Sequence, residues 1–365
     1  MNRSGQVTLV VGTRPNFIKA APLLDALSSH GDFAPRLVHT GQHFDASMSD
    51  LIFENLGMPE PDVFLGASNT TPSLQIAELM AALHDEFEKQ RPDLVLVFGD
   101  VNSTLAGALV ANKMDIPLGH VEAGLRSFDR RMPEEHNRIV TDMLSDLLFT
   151  PSEDADKNLF KEGIPESRIH RVGNIMVDSL LKVKPKAEAL DAWKKFDLVQ
   201  GEYLLVTIHR PANVDEPEAL GEILGALKKI GKAMPIVFPV HPRTRREIAK
   251  ASVEQDLIRA GVRLPEPAGY LEFLNLMMNA RLVLTDSGGI QEETTVLGIP
   301  CLTARENTER PITLSQGTNR LVGVTTRSIL DGFEKALAEK GRVSIIPALW
   351  DGRTSERIIS ILNRH

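Results

Sequence analysis

Short apolar runs rich in Val, Leu and Ile recur along the chain, each followed by a turn and a longer stretch of helical period. VTLVV, RLVHT, DLVLVFGD, IPLGHVEA and DLLFTPS fill the first half, and YLLVTIH, PIVFPVH, VRLPEP, ARLVLTD and IPCLTA the second. Continuous apolar strands alternating with helices predict a parallel sheet covered on both faces. Two such series predict an α/β protein of two doubly wound, Rossmann-like domains with a cleft between them. The charged segment 180–202 separates the series and marks the boundary. The expected division is 1–180 for the N-terminal domain and 181–345 for the C-terminal, nucleotide-binding domain. Residues 346–365 end in TSERIISILNRH, which reads as a closing helix that packs back on the N-terminal domain. No short-period repeat or low-complexity tract interrupts the pattern.

Length and charge narrow the function. A chain of 365 residues is too long for one ordinary core and suits two domains. The net charge of −8, with no long Lys/Arg run to offset it, argues against general nucleic-acid binding. A small anionic ligand needs only a local cluster of cations and remains open. The single cysteine, Cys301, excludes an internal disulfide framework and fits a reducing compartment. No apolar leader precedes the first strand and no run approaches membrane-spanning length. The expectation is a soluble cytoplasmic protein with no membrane partner.

In open α/β sheets ligands bind beyond the carboxyl ends of the strands, so the residues at those exits are the candidates. The first domain offers Arg14 and Lys19 in VVGTRPNFIK, Gln42 and His43 in HTGQHFD, Asp100 in VFGDVNST and Glu122 in GHVEAGLRS. The second offers His209 and Arg210 in VTIHRP, His241 in PVHPRT, and TDSGGIQEE at 285–293. That last segment joins a strand end to a helix start through two glycines, where unpaired N–H groups and the positive dipole end suit a phosphate. Glu293 lies about one turn further on, where a carboxylate can accept from ribose hydroxyls. The structural alternative is an N-cap at Asp286 or Ser287.

Each of the other exits also has two readings. Arg14 and Lys19 either neutralise a phosphate or leaving group, or are solvated cations at a helix start with Pro15 at N1. Asp100 and Glu122 end strands expected to be buried, where a carboxylate must find a partner or hold its proton more tightly, as a general base near neutral pH requires. The competing role for Asp100 is to cap the helix NSTLAGALVANK. In RMPEEHNR, Pro133, Glu134 and Glu135 on spacing alone read as a well-formed helix start. The histidines lack the H-x-x-x-H pairing or cysteine partners of a metal site, so no metal is expected. A P-loop and a G-x-S-x-G elbow are both absent.

Taken in order, GTRPNFIK, TGQHFD, GDVNSTLAGALVA, HVEAGLRS, MPEEHNR, HRPANVD, PVHPRT, LTDSGGIQEE and ENTERPIT with GTNRLVG resemble the non-hydrolysing UDP-N-acetylglucosamine 2-epimerases, from about residue 8 to the closing helix. The resemblance implies the two-domain fold of GT-B type, a UDP-sugar substrate, a homodimer, and neither NAD nor metal. It implies inversion at C2 by loss of UDP to leave 2-acetamidoglucal, and re-addition on the other face. Asp100, Glu122 and Glu134 fall on the family's catalytic carboxylates and His209 on its catalytic histidine. Arg14 and Lys19 fall on its cationic pair, and Ser287, Gly288 and Gly289 on its phosphate-binding turn. Glu293 falls on the ribose ligand and Arg310 on a further substrate-binding arginine. Gln42, His43 and His241 are sugar-side or allosteric candidates.

The sequence departs from the best-known bacterial pattern in three respects. IHRPANVD replaces a GHRRES-like segment, and QHFDASMS is longer than the usual form. HTGQHFDASMS, GDVNSTLAGALVA and GLRSFDRRMPEE are closer to relatives that epimerise UDP-2,3-diacetamido-2,3-dideoxyglucuronic acid. That acid is the alternative substrate, and a GT-B glycosyltransferase the alternative of another class.

Overall fold

The computed structural model describes residues 5–42, 53, 55–67, 71–339 and 344–364. The chain forms two compact units. The first takes the residues up to Lys182 together with those from Ala348 onward, and the second takes Val183–Pro347.

The first unit holds a parallel sheet of β1 (Gly5–Val11), β2 (Phe33–His39), β3 (Val63–Phe64), β4 (Leu94–Phe98), β5 (Leu118–Val121), β6 (Leu147–Thr150) and β7 (Ile169–Arg171). Their spatial order is β3-β2-β1-β4-β5-β6-β7. The register pairs Leu9 with Leu37 on one side and with Leu96 on the other. The three central strands are almost wholly buried, so their apolar runs are continuous rather than alternating. The helix Pro72–Lys89 shows the complementary helical period: Leu79, Leu83 and Phe87 are all fully buried in the core with Val95 and Val97. Each such side chain contributes about 1.5–3 kcal/mol by leaving water. The helix Thr354–Leu362 packs against the helix Arg14–His30. Its start is tied down by the Asp178 carboxylate, which accepts from the N–H groups of Thr354 at 3.1 Å and Ser355 at 2.8 Å.

The second unit repeats the architecture with β8 (Leu204–Thr207), β9 (Ile236–Val237), β10 (Val262–Arg263), β11 (Leu282–Thr285), β12 (Cys301–Thr303) and β13 (Asn319–Leu321), ordered β10-β9-β8-β11-β12-β13 and all parallel. Its core gathers Leu204, Val206, Phe238, Leu282, Leu284 and Leu302 with the helices that cover them. In each sheet the strand order reverses once, between β1 and β4 in the first and between β8 and β11 in the second. Those reversals open the crevices in which doubly wound sheets bind ligands.

No helix among the described residues is long and apolar enough to cross a membrane. The fold adds three strands to those marked by apolar runs, namely β3, β7 and β13. The first helix begins at Arg14 behind a Thr13 N-cap, which puts Pro15 at its second position rather than its first.

Candidate active site

At the β1/β4 crevice of the first unit, the chain leaves β1 through Gly12 and Thr13 and turns at once into the helix Arg14–His30. Asn16 fixes that turn. Its Oδ1 accepts from the N–H groups of Gly12 at 3.2 Å and Thr13 at 3.3 Å, while its Nδ2 donates to the Phe98 carbonyl of β4 at 2.9 Å. One helical turn on, Lys19 is buried and its ammonium is paired with Glu122. The reading of Lys19 as a solvated surface cation is thereby excluded. Arg14 is half-buried at the same helix start.

Glu122 follows β5 in a left-handed backbone conformation, φ +74°. A non-glycine residue held there costs of order 1–3 kcal/mol and persists only where the surroundings fix it. Here two amides do so, the N–H groups of Glu122 and Ala123 both donating to Phe149 O at 3.1 Å. Gly99, at the β4 exit, also has positive φ, +63°, and a Cβ on it would stand 2.8 Å from Lys19 Nζ and 3.1 Å from Glu122 Oε2. The glycine lets the Lys19–Glu122 pair lie directly against the backbone that carries Asp100.

Asp100 is half-buried and paired with Arg138. It does not cap the following helix, whose N-cap is Val101. Arg138 comes from the helix Pro133–Leu144, three residues after Glu135, and pairs with that carboxylate too. Glu135 is buried and accepts from Ser127 N–H at 3.0 Å, Ser127 Oγ at 2.9 Å and Phe128 N–H at 2.8 Å. Burial alone would raise its pKa; the two backbone donors and Arg138 outweigh that and hold it below the usual range. Glu134 is exposed on the same first turn. Of the adjacent pair, Glu135 is committed to the framework and Glu134 faces outward.

Gln42 is buried at the β2 exit, where its Oε1 accepts from Ser103 N–H at 3.1 Å and Ser103 Oγ at 2.6 Å. His43 lies outside the described residues.

At the β8/β11 crevice of the second unit, His209 and Asp286 meet. The buried Asp286 carboxylate accepts from the backbone N–H groups of His209 at 3.1 Å and Arg210 at 2.9 Å, and from Asn213 Nδ2 at 3.0 Å. His209 Nδ1 is 3.1 Å from Asp286 Oδ1, and the ring is 45% exposed. Desolvation pushes Asp286 up, and His209 with these donors pulls it below its ordinary value. An ionised partner at Nδ1 fixes the ring and leaves Nε2 to act outward. Asp286 is thus an orienting group and not a helix cap. The N-cap of the helix Gly288–Leu297 is Ser287, which makes no side-chain capping bond.

Beside that helix start, three arginines converge on one buried carboxylate. Glu309 lies 2.6 Å from Arg310 Nη1, 2.7 Å from Arg305 Nη2 and 3.2 Å from Arg210 Nη2. Burial raises its pKa, yet Arg310, Arg210 and Arg305 drive it well below the usual value. Arg310 Nε is 2.8 Å from Glu292 Oε1. A Cβ at Gly288 would collide with the Arg310 guanidinium, so the turn is glycine because the cation packs on it. Three guanidinium groups thus stand beside a helix N-terminus, whose unpaired N–H groups suit an anion.

Glu293 is buried and accepts from Tyr270 Oη at 2.8 Å. His241 caps the helix Pro242–Lys250, its Nδ1 accepting from Arg243 N–H at 3.3 Å. Among the described residues no group of three metal-ligating side chains gathers. The sequence reading missed Asn16, Arg138, Arg305 and Glu309, and it offered Asp286 only as a possible helix cap. The one local signal for them is the spacing of Glu135 and Arg138, which puts both on one helix face.

The model of a protein family described as UDP-N-acetylglucosamine 2-epimerase matches residues 25–363. The chain belongs to that family. It is 40% identical over 365 residues to the UDP-N-acetylglucosamine 2-epimerase of Methanocaldococcus jannaschii, covering 98% of each chain. It is also 40% identical over 337 residues to a UDP-2,3-diacetamido-2,3-dideoxy-D-glucuronate 2-epimerase of Pseudomonas aeruginosa, covering 92% of this chain and 93% of that one. A crystal structure of the Methanocaldococcus jannaschii UDP-GlcNAc 2-epimerase in complex with UDP-GlcNAc and UDP superposes with a TM-score of 0.92, covering 99% of this chain and all of that one. The family and the two parallel-sheet units both agree with the reading of the motifs.

Proposed function

We propose that this enzyme interconverts UDP-GlcNAc and UDP-ManNAc by eliminating UDP and adding it back on the other face of the sugar. The observation that carries the reading is the buried Lys19–Glu122 pair, seated against Gly99 and next to Asp100 in one crevice. The C2 proton has no adjacent carbonyl to acidify it, so its removal must be coupled to departure of the anomeric diphosphate. That calls for carboxylates at the sugar and fixed cations at the leaving group. Asp100, Glu122 and Glu134 are the carboxylates, and inversion needs one to take the proton and another group to return it on the opposite face. Arg14, Lys19 and Arg310 are the cations, with His209 beside the diphosphate and its ring set by Asp286. Ser287, Gly288 and Gly289 take the phosphates at the helix start, and Glu293 the ribose. The bond that breaks is C1–O of the glycosyl phosphate, the C2–H pair becoming the glycal double bond. Re-addition reverses each step with the proton delivered to the other face, and no redox cofactor is needed.

A second substrate is favoured by one observation, the equal identity to the diacetamido-glucuronate relative. Incubation with each sugar nucleotide in deuterated water separates them, because the true substrate acquires deuterium at C2. Asp100→Asn and Glu122→Gln should each cut that exchange about 100-fold while UDP still binds. Exchange with neither sugar, or transfer of sugar to an acceptor, overturns the epimerase reading. A homodimer working in the cytoplasm without metal completes the proposal on the strength of the family likeness, and sedimentation with and without chelator tests the first and last of these.

A further inference from the structure

Behind the strand exits of the first unit runs a line of buried polar contacts with no part in the chemistry above. His120, the third residue of β5, is completely buried, and both its ring nitrogens are engaged. Nε2 lies 2.8 Å from the Gly99 carbonyl and Nδ1 lies 2.6 Å from Asp142 Oδ1. A carbonyl oxygen can only accept, so Nε2 carries a proton and donates it. Asp142, on the helix Pro133–Leu144, is held from its other side by the Gly124 N–H at 3.1 Å and Arg126 Nη1 at 2.7 Å. Arg126 is anchored in turn by Glu162, at 2.8 Å and 2.6 Å.

The front end of this line is the peptide that joins Gly99 to Asp100. Gly99 forms the floor under the Lys19–Glu122 pair, and Asp100 is one of the carboxylates that the proposed reaction uses. Turning that peptide changes the direction of Asp100 and the seat of Lys19 and Glu122 together. The next carbonyl, Asp100 O, is fixed separately by Asn137 Nδ2 at 2.9 Å, and the Gly99 N–H donates to Val121 O at 3.1 Å, while His120 holds the Gly99 carbonyl that belongs to the peptide itself. We propose that His120 is a positioning residue: through its Nε2–H bond to the Gly99 carbonyl it sets the Asp100 carboxylate relative to the Lys19–Glu122 pair, with Asp142 and Arg126 holding its ring. The inference rests on the epimerase reading. A misplacement of about 1 Å at reacting groups can cost about 100-fold in rate, so the bond is worth more to turnover than to binding.

Two substitutions split the contacts of His120. The amide nitrogen of glutamine falls near the Nε2 position and that of asparagine near Nδ1. His120→Gln therefore retains the donor to Gly99 and loses the one to Asp142, and His120→Asn does the reverse. With UDP-GlcNAc in deuterated water, His120→Asn should lower kcat about 10- to 100-fold with KM within about threefold, and His120→Gln should stay within about fivefold of the parent kcat. Melting temperatures are recorded beside both. If His120→Asn is the better enzyme, or if both lose activity only in step with folded fraction, His120 serves Asp142 as a core contact and the inference is overturned. Should a variant not fold, nitrogen-15 spectra of the parent decide, since an unprotonated Nε2 removes the bond. A parent enzyme inert toward both sugars ends the functional reading and this inference with it; an active parent with the order reversed ends this inference alone.

Discussion

Glu122 concentrates the physical argument in one residue. Its left-handed backbone and its burial each carry a free-energy cost, which the pairing with Lys19 offsets, so a carboxylate is held where an unpaired one would be expelled. Motif and strand end were enough to find Glu122, but nothing in the sequence announces its backbone angle, because only the donation of two amides to Phe149 O fixes it. Glu135 illustrates the opposite case. Side by side with Glu134 in the sequence, it differs only in the direction a helix turn gives it, and one faces Ser127 while the other faces solvent. His39 supplies a test at this scale. It is packed between the Phe17 and Phe64 rings, and burial lowers its pKa from 6.5 to about 4. The unfolded chain therefore binds a proton that the folded chain refuses between those values. The stability tied to the neutral ring is complete above pH 6.5 and declines as pH falls toward 4. By pH 5 the loss is about 2 kcal/mol. Melting curves at pH 7.5 and 5 should show this fall, and His39→Asn should flatten it.

At the scale of elements, the strands that the apolar runs revealed are those with neighbours on both sides, together with β10. The three that they missed, β3, β7 and β13, are all sheet edges. An edge strand has one exposed flank and little apolar surface to cover, so β3 and β7 lack a fully buried residue and the period signal fails. The helix Pro133–Leu144 was visible as a helix start, yet its polar buried face was not. Glu135, Arg138 and Asp142 recur at three and four residues and hold the loop after Arg126, Asp100 and His120 in turn. A charged stripe at helical spacing looks identical in sequence whether it meets water or a sheet. Glu135→Ala strands the Ser127 and Phe128 amides without an acceptor and should cost about 1–3 kcal/mol. Hydrogen exchange at those two amides should quicken by at least tenfold; unchanged exchange would mean that the loop holds itself.

For the molecule as a whole, the net charge of −8 is a poor guide to what it binds. Around the Ser-Gly-Gly turn Arg210, Arg305 and Arg310 nevertheless gather into a local cluster of cations held by Glu309 and Glu292. Arg310→Ala should weaken UDP binding about 10- to 100-fold by calorimetry, and added salt should narrow the gap between variant and parent. Equal affinities would place the diphosphate elsewhere. The pairing of two doubly wound units was legible from the two series of strands. Arg210 and Arg310 were legible as single residues, but their meeting with Arg305 on Glu309 was not, because Arg210 is far from the other two in the sequence and only the fold brings them together.

The first unit is interrupted. Its carboxylates and cations lie before Lys182, but the segment that closes it, from Ala348, is translated only after the whole of the second unit. Trp350 Nε1 donates to Pro151 O at 2.9 Å and Asp178 waits for Thr354 and Ser355. On the ribosome, then, the second unit can mature as an insert while the first remains unfinished. A premature stop after residue 347 would leave a polypeptide whose later-made half is intact and whose earlier-made half is the damaged one.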